Sequence, residues 1–231
     1  MRVVMRRAGR VEVLAAFLAA GLSSIGSARA ADETAVVAPP PVARFTASML
    51  FGTGYGWSEG NADLNADIPF SGGSTARLGH AVVEAGVLFP RVRLFLMTGP
   101  RLQVVTGTTD LYDTSGRVYR SQTRAYAWFG KVGWLPLAPE ARLQPYVAAS
   151  LGYGEIRHLA RLTTIAPTCG PNRDQTCVDT VTSGPYFVGA GGGLRWRFND
   201  RIEAVVAVEA QLGAPDRTFN IDGNLGFAIV L

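Results

Sequence analysis

Ten charged side chains occupy alternating positions in otherwise apolar, β-rich runs: Arg44, Glu84, Arg93, Arg101, Lys131, Arg195, Arg197, Glu203, Glu209 and Asp222. Residues two apart on a strand share a face. This spacing therefore gathers both signs of charge on one side of a sheet. If that side is enclosed, the charges must pair or stay hydrated. Keeping both faces in phase around Asn199-Asp200 sets 197 opposite 201 and Arg195 directly opposite Glu203, a cross-strand ion pair. The chemistry on offer is a network of paired charges.

Other reactive side chains are few. His80 and His158 are the two histidines and the natural candidates for proton transfer near neutral pH. Neither has a serine at a spacing that supports nucleophilic catalysis. Gly189-Ala190-Gly191-Gly192-Gly193 is glycine-rich like a phosphate loop, but it lies inside a strand pattern with no helix after it. The chain is read as non-enzymatic, without catalytic, cofactor or metal residues. Cys169 and Cys177 have no further ligands at metal spacing; in an exported chain they are expected to pair as a disulfide.

The elements that must position these residues are strands. Gly184–Leu212 reads as two strands about a tight turn. Ile202, Ala204, Val206, Val208, Ala210 and Leu212 fall on one face; Arg201, Glu203, Val205, Ala207, Glu209 and Gln211 fall on the other. The same alternation predicts strands over about 44–57, 77–89, 92–106, 123–135, 142–156 and 218–231. Pro100 inside the third run predicts a bulge or local break. Polar, turn-rich segments at 58–76, 107–122 and 157–183 read as long loops, whereas Pro90-Arg91, 136–141, Asn199-Asp200 and 213–216 read as short connections. Three of the four odd-numbered connections are long and every even-numbered one is short. Such parity belongs to a barrel with short periplasmic turns and longer outer loops.

Composition agrees. The charged fraction is 17%, below the roughly 25% of an ordinary soluble domain. Residues 1–30 read as a secretory signal: Arg2, Arg6, Arg7 and Arg10, a short apolar run Val13–Gly21, and Ala28-Arg29-Ala30 as the cleavage site. Residues 31–43 form a proline-rich linker and 44–231 the barrel. The formal charge of +4 resides in the leader; without it 17 basic and 17 acidic residues remain, so the basic pI gives no argument for nucleic acid. No apolar run of helical length follows the leader.

These features together resemble the small eight-stranded outer-membrane barrels of Gram-negative bacteria. The resemblance covers about 44–231 and rests on the export signal, loop parity, dyad alternation, aromatic residues near strand ends, and a last strand with Ile221, Leu225, Phe227, Ile229 and Leu231 on one face. That class usually ends in an aromatic residue, and this chain ends in Leu231. The resemblance implies an all-β, antiparallel up-and-down transmembrane barrel in the outer membrane. Implied partners are outer-membrane lipid and lipopolysaccharide, and the barrel-assembly machinery during biogenesis. The function expected is presentation of outer loops above a salt-bridged lumen. Inward Gly52, Gly54, Gly56, Gly152 and Gly154 suggest an open vestibule in the outer half. Two alternatives stand beside this: a narrow pore or carrier for a small or apolar solute, and a soluble, lipocalin-like periplasmic barrel with Glu84, Arg93, Arg195 and Glu203 outside.

Overall fold

The computed structural model describes residues 43–58, 78–112, 117–162, 168–169, 177–215 and 217–231. The expected leader and nearly all of the linker lie outside these. Eight long strands close into one antiparallel barrel: β1 (Arg44–Ser58), β2 (Leu78–Phe89), β3 (Leu94–Val104), β6 (Arg124–Trp134), β7 (Leu143–Gly154), β11 (Pro185–Arg197), β12 (Ile202–Pro215) and β13 (Thr218–Val230). Each pairs with its sequence neighbour in the barrel, and β1 meets β13 to complete the ring. Three short strands, β4 (Leu111–Tyr112), β5 (Val118–Tyr119) and β9 (Thr168–Cys169), form a small sheet in the outer loops. β8 (Ile156–Leu162) and β10 (Cys177–Ser183) form a separate hairpin.

The period-two pattern has one physical outcome here. Phe45, Met49, Phe51, Leu96, Val132, Leu151, Val206, Leu225 and Phe227 face outward and are exposed. Thr46, Ser48, Glu84, Arg101, Lys131, Gln144, Ser150, Arg195, Glu203, Gln211 and Asp222 face inward and are buried. A water-soluble barrel would bury the first set and expose the second; the inverted arrangement is that of a transmembrane barrel. The soluble alternative, which needs Glu84, Arg93, Arg195 and Glu203 outside, is thereby corrected: Arg93 is exposed, but Glu84, Arg195 and Glu203 are buried in the lumen. Tyr55, Trp57, Tyr126, Trp128, Tyr153 and Tyr186 ring the exterior near the outer rim. Phe45, Trp134, Trp196 and Phe198 ring it near the other end, as interfacial girdles do.

Two local expectations change. The turn at Asn199-Asp200 spans four residues, because the Asn199 side chain accepts the backbone N–H groups of Arg201 and Ile202, both at 2.9 Å. The register therefore sets Arg197 opposite Glu203 and Arg195 opposite Val205, not Arg195 opposite Glu203. The segment 157–183, expected as a loop, carries β8 and β10. Pro100 breaks ladder pairing with β2 between Val82↔Arg101 and Ala85↔Thr98 without slipping the register, while pairing with β6 continues through it.

Candidate functional site

The lumen has two levels. At the level nearer the chain ends, Lys131 on β6 reaches across to Glu84 on β2 at 2.5 Å and to Glu209 on β12. Ser48 donates to Glu84 at 3.3 Å. Arg195 pairs with Glu203 at 2.6 Å and donates to Thr46 at 3.2 Å. Arg197 meets the other Glu203 oxygen at 3.4 Å and donates to the Pro139 carbonyl at 2.9 Å. Every charged group here has an opposite partner, which is the condition for holding charge in a low-dielectric interior. Phe95 and Tyr146 meet edge to face at 5.4 Å in the same region. The space left among Ser48, Glu84, Lys131, Tyr146 and Arg195 is about 20 Å³, room for roughly one water.

Above this lies a second cluster. Arg101 grips Asp222 with two bonds, 3.1 and 3.2 Å, and donates to Gln103 at 3.1 Å. Its guanidinium also donates to His80 Nδ1 at 3.1 Å, so His80 is neutral and donates through Nε2 to Asn224 at 2.7 Å. Both ring nitrogens of His80 are thereby engaged.

The outer mouth is filled by the β8–β10 hairpin. It continues β7 and β11 but bends inward at Gly154 and Gly184, whose φ values of +135° and +127° suit residues without a Cβ. Ile156, His158, Asp179, Thr180, Val181 and Ser183 on it have no solvent exposure. One face meets the end of β3 and the loop residues Thr109 and Gln122: Arg157 donates to Gln122 at 2.7 Å, Gln103 bonds the Arg157 backbone in both directions, and Thr109 bonds Val178 in both directions. The other face lies against the barrel wall. Ile156 packs with Ala127, Phe129 and Phe187. The His158 ring occupies the space that a side chain on Gly56 would need. Burial, and next the Arg101 guanidinium, push the His158 pKa down to about 4.

Of the sequence-predicted network, the barrel brings Glu84, Lys131 and Glu209 together, Arg195, Arg197 and Glu203 together, and Arg101 with Asp222. Arg93 is a correction. β3 starts at Leu94, two residues after the expected start, and Arg93 sits exposed in the preceding turn at φ 58°, donating to the Pro136 carbonyl at 2.9 Å. The Arg195–Glu203 pair forms diagonally across the ladder, because the register differs by two residues. The vestibule expected from glycines is also corrected. Asn224 and His80 crowd Gly52, Asp222 crowds Gly54, the His158 ring crowds Gly56, Phe129 crowds Gly152, and backbone crowds Gly154. The sequence reading did not count the polar side chains Gln103, Gln211, Asn220 and Asn224 in the network, and it set His158 apart as a proton-transfer candidate where the structure buries it in the hairpin. The segment Val178–Thr182, β-branched at every position but Asp179, was the available sign that a strand lay there.

No family model matches the chain, and no curated protein matches it. Solved structures of similar fold include Neisserial surface protein A, at 9% identity and TM-score 0.49 over 80% of this chain and 96% of that one. Ail, the attachment invasion locus protein of Yersinia pestis, matches at 11% identity and TM-score 0.42 over 81% and 99%. The N-terminal β-barrel domain of Pseudomonas aeruginosa OprF matches at 14% and 0.40 over 80% and 97%. The likeness is one of fold alone. By its own closed strand order and inverted faces, the chain is a small eight-stranded transmembrane β-barrel, similar in architecture to those barrels.

Proposed function

We propose that the protein is a non-enzymatic integral outer-membrane barrel that presents its outer loops to the surroundings. The observation that carries this reading is the double closure of the lumen: paired charges at one level and an inward-folded hairpin at the other. A barrel sealed twice is suited to a scaffold, and long loops on a rigid scaffold commonly carry recognition. The small β4–β5–β9 sheet ties two of the outer loops together. Cys177 is buried and not a free thiol; a bridge to Cys169 would staple the tip of the third loop. The engaged nitrogens of His80 and the shielding of His158 support a non-enzymatic reading. Outward Leu225, Phe227, Ile229 and Leu231 offer the assembly machinery an apolar last strand, and the exterior as a whole faces lipid and lipopolysaccharide.

Two measurements test this. Single-cysteine variants at Val206 and Glu203, made with Cys169 and Cys177 replaced by serine, are probed in cells with lipid-soluble and water-soluble reagents. Val206 should take the lipid reagent and Glu203 neither; free aqueous labelling of Glu203 would sink the membrane reading. In planar bilayers the purified protein should give no steady conductance. Steady open-channel current would favour the narrow-pore alternative.

A further inference from the structure

Every barrel strand that rises from the short-turn end is entered through an arginine. β1 begins at Arg44, and Arg93, Arg142 and Arg201 immediately precede β3, β7 and β12. In the closed order these strands alternate with those that descend, so the arginines stand at regular intervals around one rim. Each is followed by a side chain that faces lipid: Phe45, Leu94, Leu143 and Ile202, exposed by 67%, 38%, 49% and 43%. A strand advances about 3.3 Å per residue. Each arginine therefore lies one step beyond the last lipid-facing side chain of its strand, at head-group depth. The backbone fixes them there. The carbonyls of Arg93, Arg142 and Arg201 accept the N–H groups of Leu135, Arg197 and Val230 at 2.8, 2.9 and 2.8 Å, and the Phe45 carbonyl accepts that of Leu231 at 2.8 Å. The rim continues the ladder instead of fraying into loose turns.

The charge of this rim is not cancelled. Arg44 and the turns 90–93, 135–142 and 198–201 together carry five arginines against two carboxylates, Glu140 and Asp200. No ion pair among the described residues involves Arg44, Arg93, Arg142, Arg201 or either carboxylate. Arg93 and Arg142 donate to the carbonyls of Pro136 and Arg197, at 2.9 and 3.4 Å, which leaves their charge in place. The lumen gives no compensation, because Arg101, Lys131, Arg195 and Arg197 are already matched there by Asp222, Glu84, Glu209 and Glu203. Arg93, Arg142 and Arg201 are exposed and Arg44 is half-buried. Trp134, Trp196 and Phe198 at the same end anchor it at the bilayer surface. A guanidinium is weakly hydrated and meets two phosphate oxygens at once. Arginines that adjoin the lipid-facing band around its whole circumference suit a shell of anionic head groups better than one docked macromolecule.

We propose that the short-turn rim is an arginine collar that selects anionic glycerophospholipids from the periplasmic leaflet. Each phosphodiester is taken by a guanidinium while its acyl chains lie on the apolar wall above. The collar rests on the outer-membrane reading of the barrel. It gives the barrel a preference among lipids that an apolar wall alone lacks. Such attraction reaches about fivefold per basic side chain near a charged bilayer surface and is screened by salt.

Electron paramagnetic resonance of spin-labelled lipid tests this. The full chain is folded into phosphatidylcholine vesicles containing a trace of chain-labelled phosphatidylglycerol or chain-labelled phosphatidylcholine, and the fraction of each that the barrel immobilises is compared. Beside it runs the variant Arg44→Gln, Arg93→Gln, Arg142→Gln and Arg201→Gln, with Arg142→Gln plus Arg201→Gln as the milder form should the first not fold. Heat-modified gel mobility confirms folding. The wild type should favour phosphatidylglycerol by about threefold or more at about 20 mM salt, and should approach parity at about 0.5 M. The four-site variant should stand near parity at both, and the two-site form should lose about half of the preference. Equal association of the two lipids with the wild type at low salt overturns the proposal. So does a preference that survives the changes, since it would arise elsewhere on the molecule. In both cases the immobilised lipid still shows a barrel in the membrane, whereas a chain that immobilises neither lipid removes the outer-membrane reading itself. Salt-sensitive co-sedimentation with purified peptidoglycan, lost in the variant and unaccompanied by any lipid preference, would assign the collar to the cell wall and overturn the proposal too.

Discussion

The two levels of this lumen hold similar numbers of polar groups and treat them differently. At the lower level Lys131, Glu84, Glu209, Arg195, Arg197 and Glu203 satisfy one another across four strands. At the upper level Arg101 and Asp222 are satisfied, and Asp179 Oδ2 and Gln211 Oε1 have no hydrogen-bond partner among the described residues, as Gln144 Oε1 has none at the lower level. Covalent connection explains part of the contrast. The lower groups project from barrel strands whose spacing is fixed by the ladder, so one arrangement can be optimised. The upper groups meet across a joint between the barrel and a hairpin on glycine bends.

The largest test of that contrast is Lys131→Met. It leaves Glu84 and Glu209 buried without their cation, and removing one partner of a buried pair typically costs ~3–5 kcal/mol. Urea unfolding in lipid vesicles should show a loss of that order; a loss under ~1 kcal/mol would mean that the lower level is hydrated and not a sealed network.

Acid should act on the upper level. The docked His158 has its pKa pushed down to about 4 from an ordinary 6.5, so an undocked hairpin binds more protons below 6.5. Docking is then fully supported above about pH 6.5, weakens as pH falls through the interval to 4, and loses at most about 3 kcal/mol below it. Hydrogen exchange of β8 and β10 should accelerate between pH 7.5 and 4.5 beyond the correction for intrinsic exchange, and His158→Asn should flatten that response. Equal acceleration in the variant would show that another group titrates.

Gly56→Ala is a smaller lever. A methyl group there meets the His158 ring, and overpacking of this kind typically costs ~1–3 kcal/mol. The hairpin should loosen while the β1–β13 ladder keeps its protection; loss of ladder protection as well would show that the two levels are not separable. The smallest effect belongs to Arg93→Gln. Its side chain lies outside the lumen, so unfolding should shift by no more than ~0.5 kcal/mol. A shift like that of Lys131→Met would return Arg93 to the network.

Most of the barrel was legible because a lipid-facing strand must alternate over its whole length. The strand expected over 123–135 runs Arg124–Trp134, and that over 218–231 runs Thr218–Val230. Arg93 was misplaced because alternation continues formally into a turn, and only its backbone conformation shows where the strand begins. The Asn199 side chain shifted the hairpin register by bonding two backbone amides, a contact that residue types alone do not count. The β8–β10 hairpin escaped for a different reason. Neither of its faces touches lipid, so no rule requires it to alternate, and Arg157, His158 and Asp179 made it read as a solvated loop. The glycines misled in the same way: they marked places where another side chain approaches, and in sequence such a place is indistinguishable from an empty one.

The pairing of β1 with β13 fixes an order of events. Thr46 lies opposite Val230 and Ser58 opposite Thr218, contacts about as distant along the chain as the barrel allows. Until the last strand arrives, β1 and β12 each present an unpaired edge to whatever else is near. Closing contacts of such separation come late and slowly, so the chain spends its assembly as an open, adhesive sheet. A chain stopped short of β13 would carry both edges permanently. It should pair with other copies of itself or be cleared, however well its first seven barrel strands are formed.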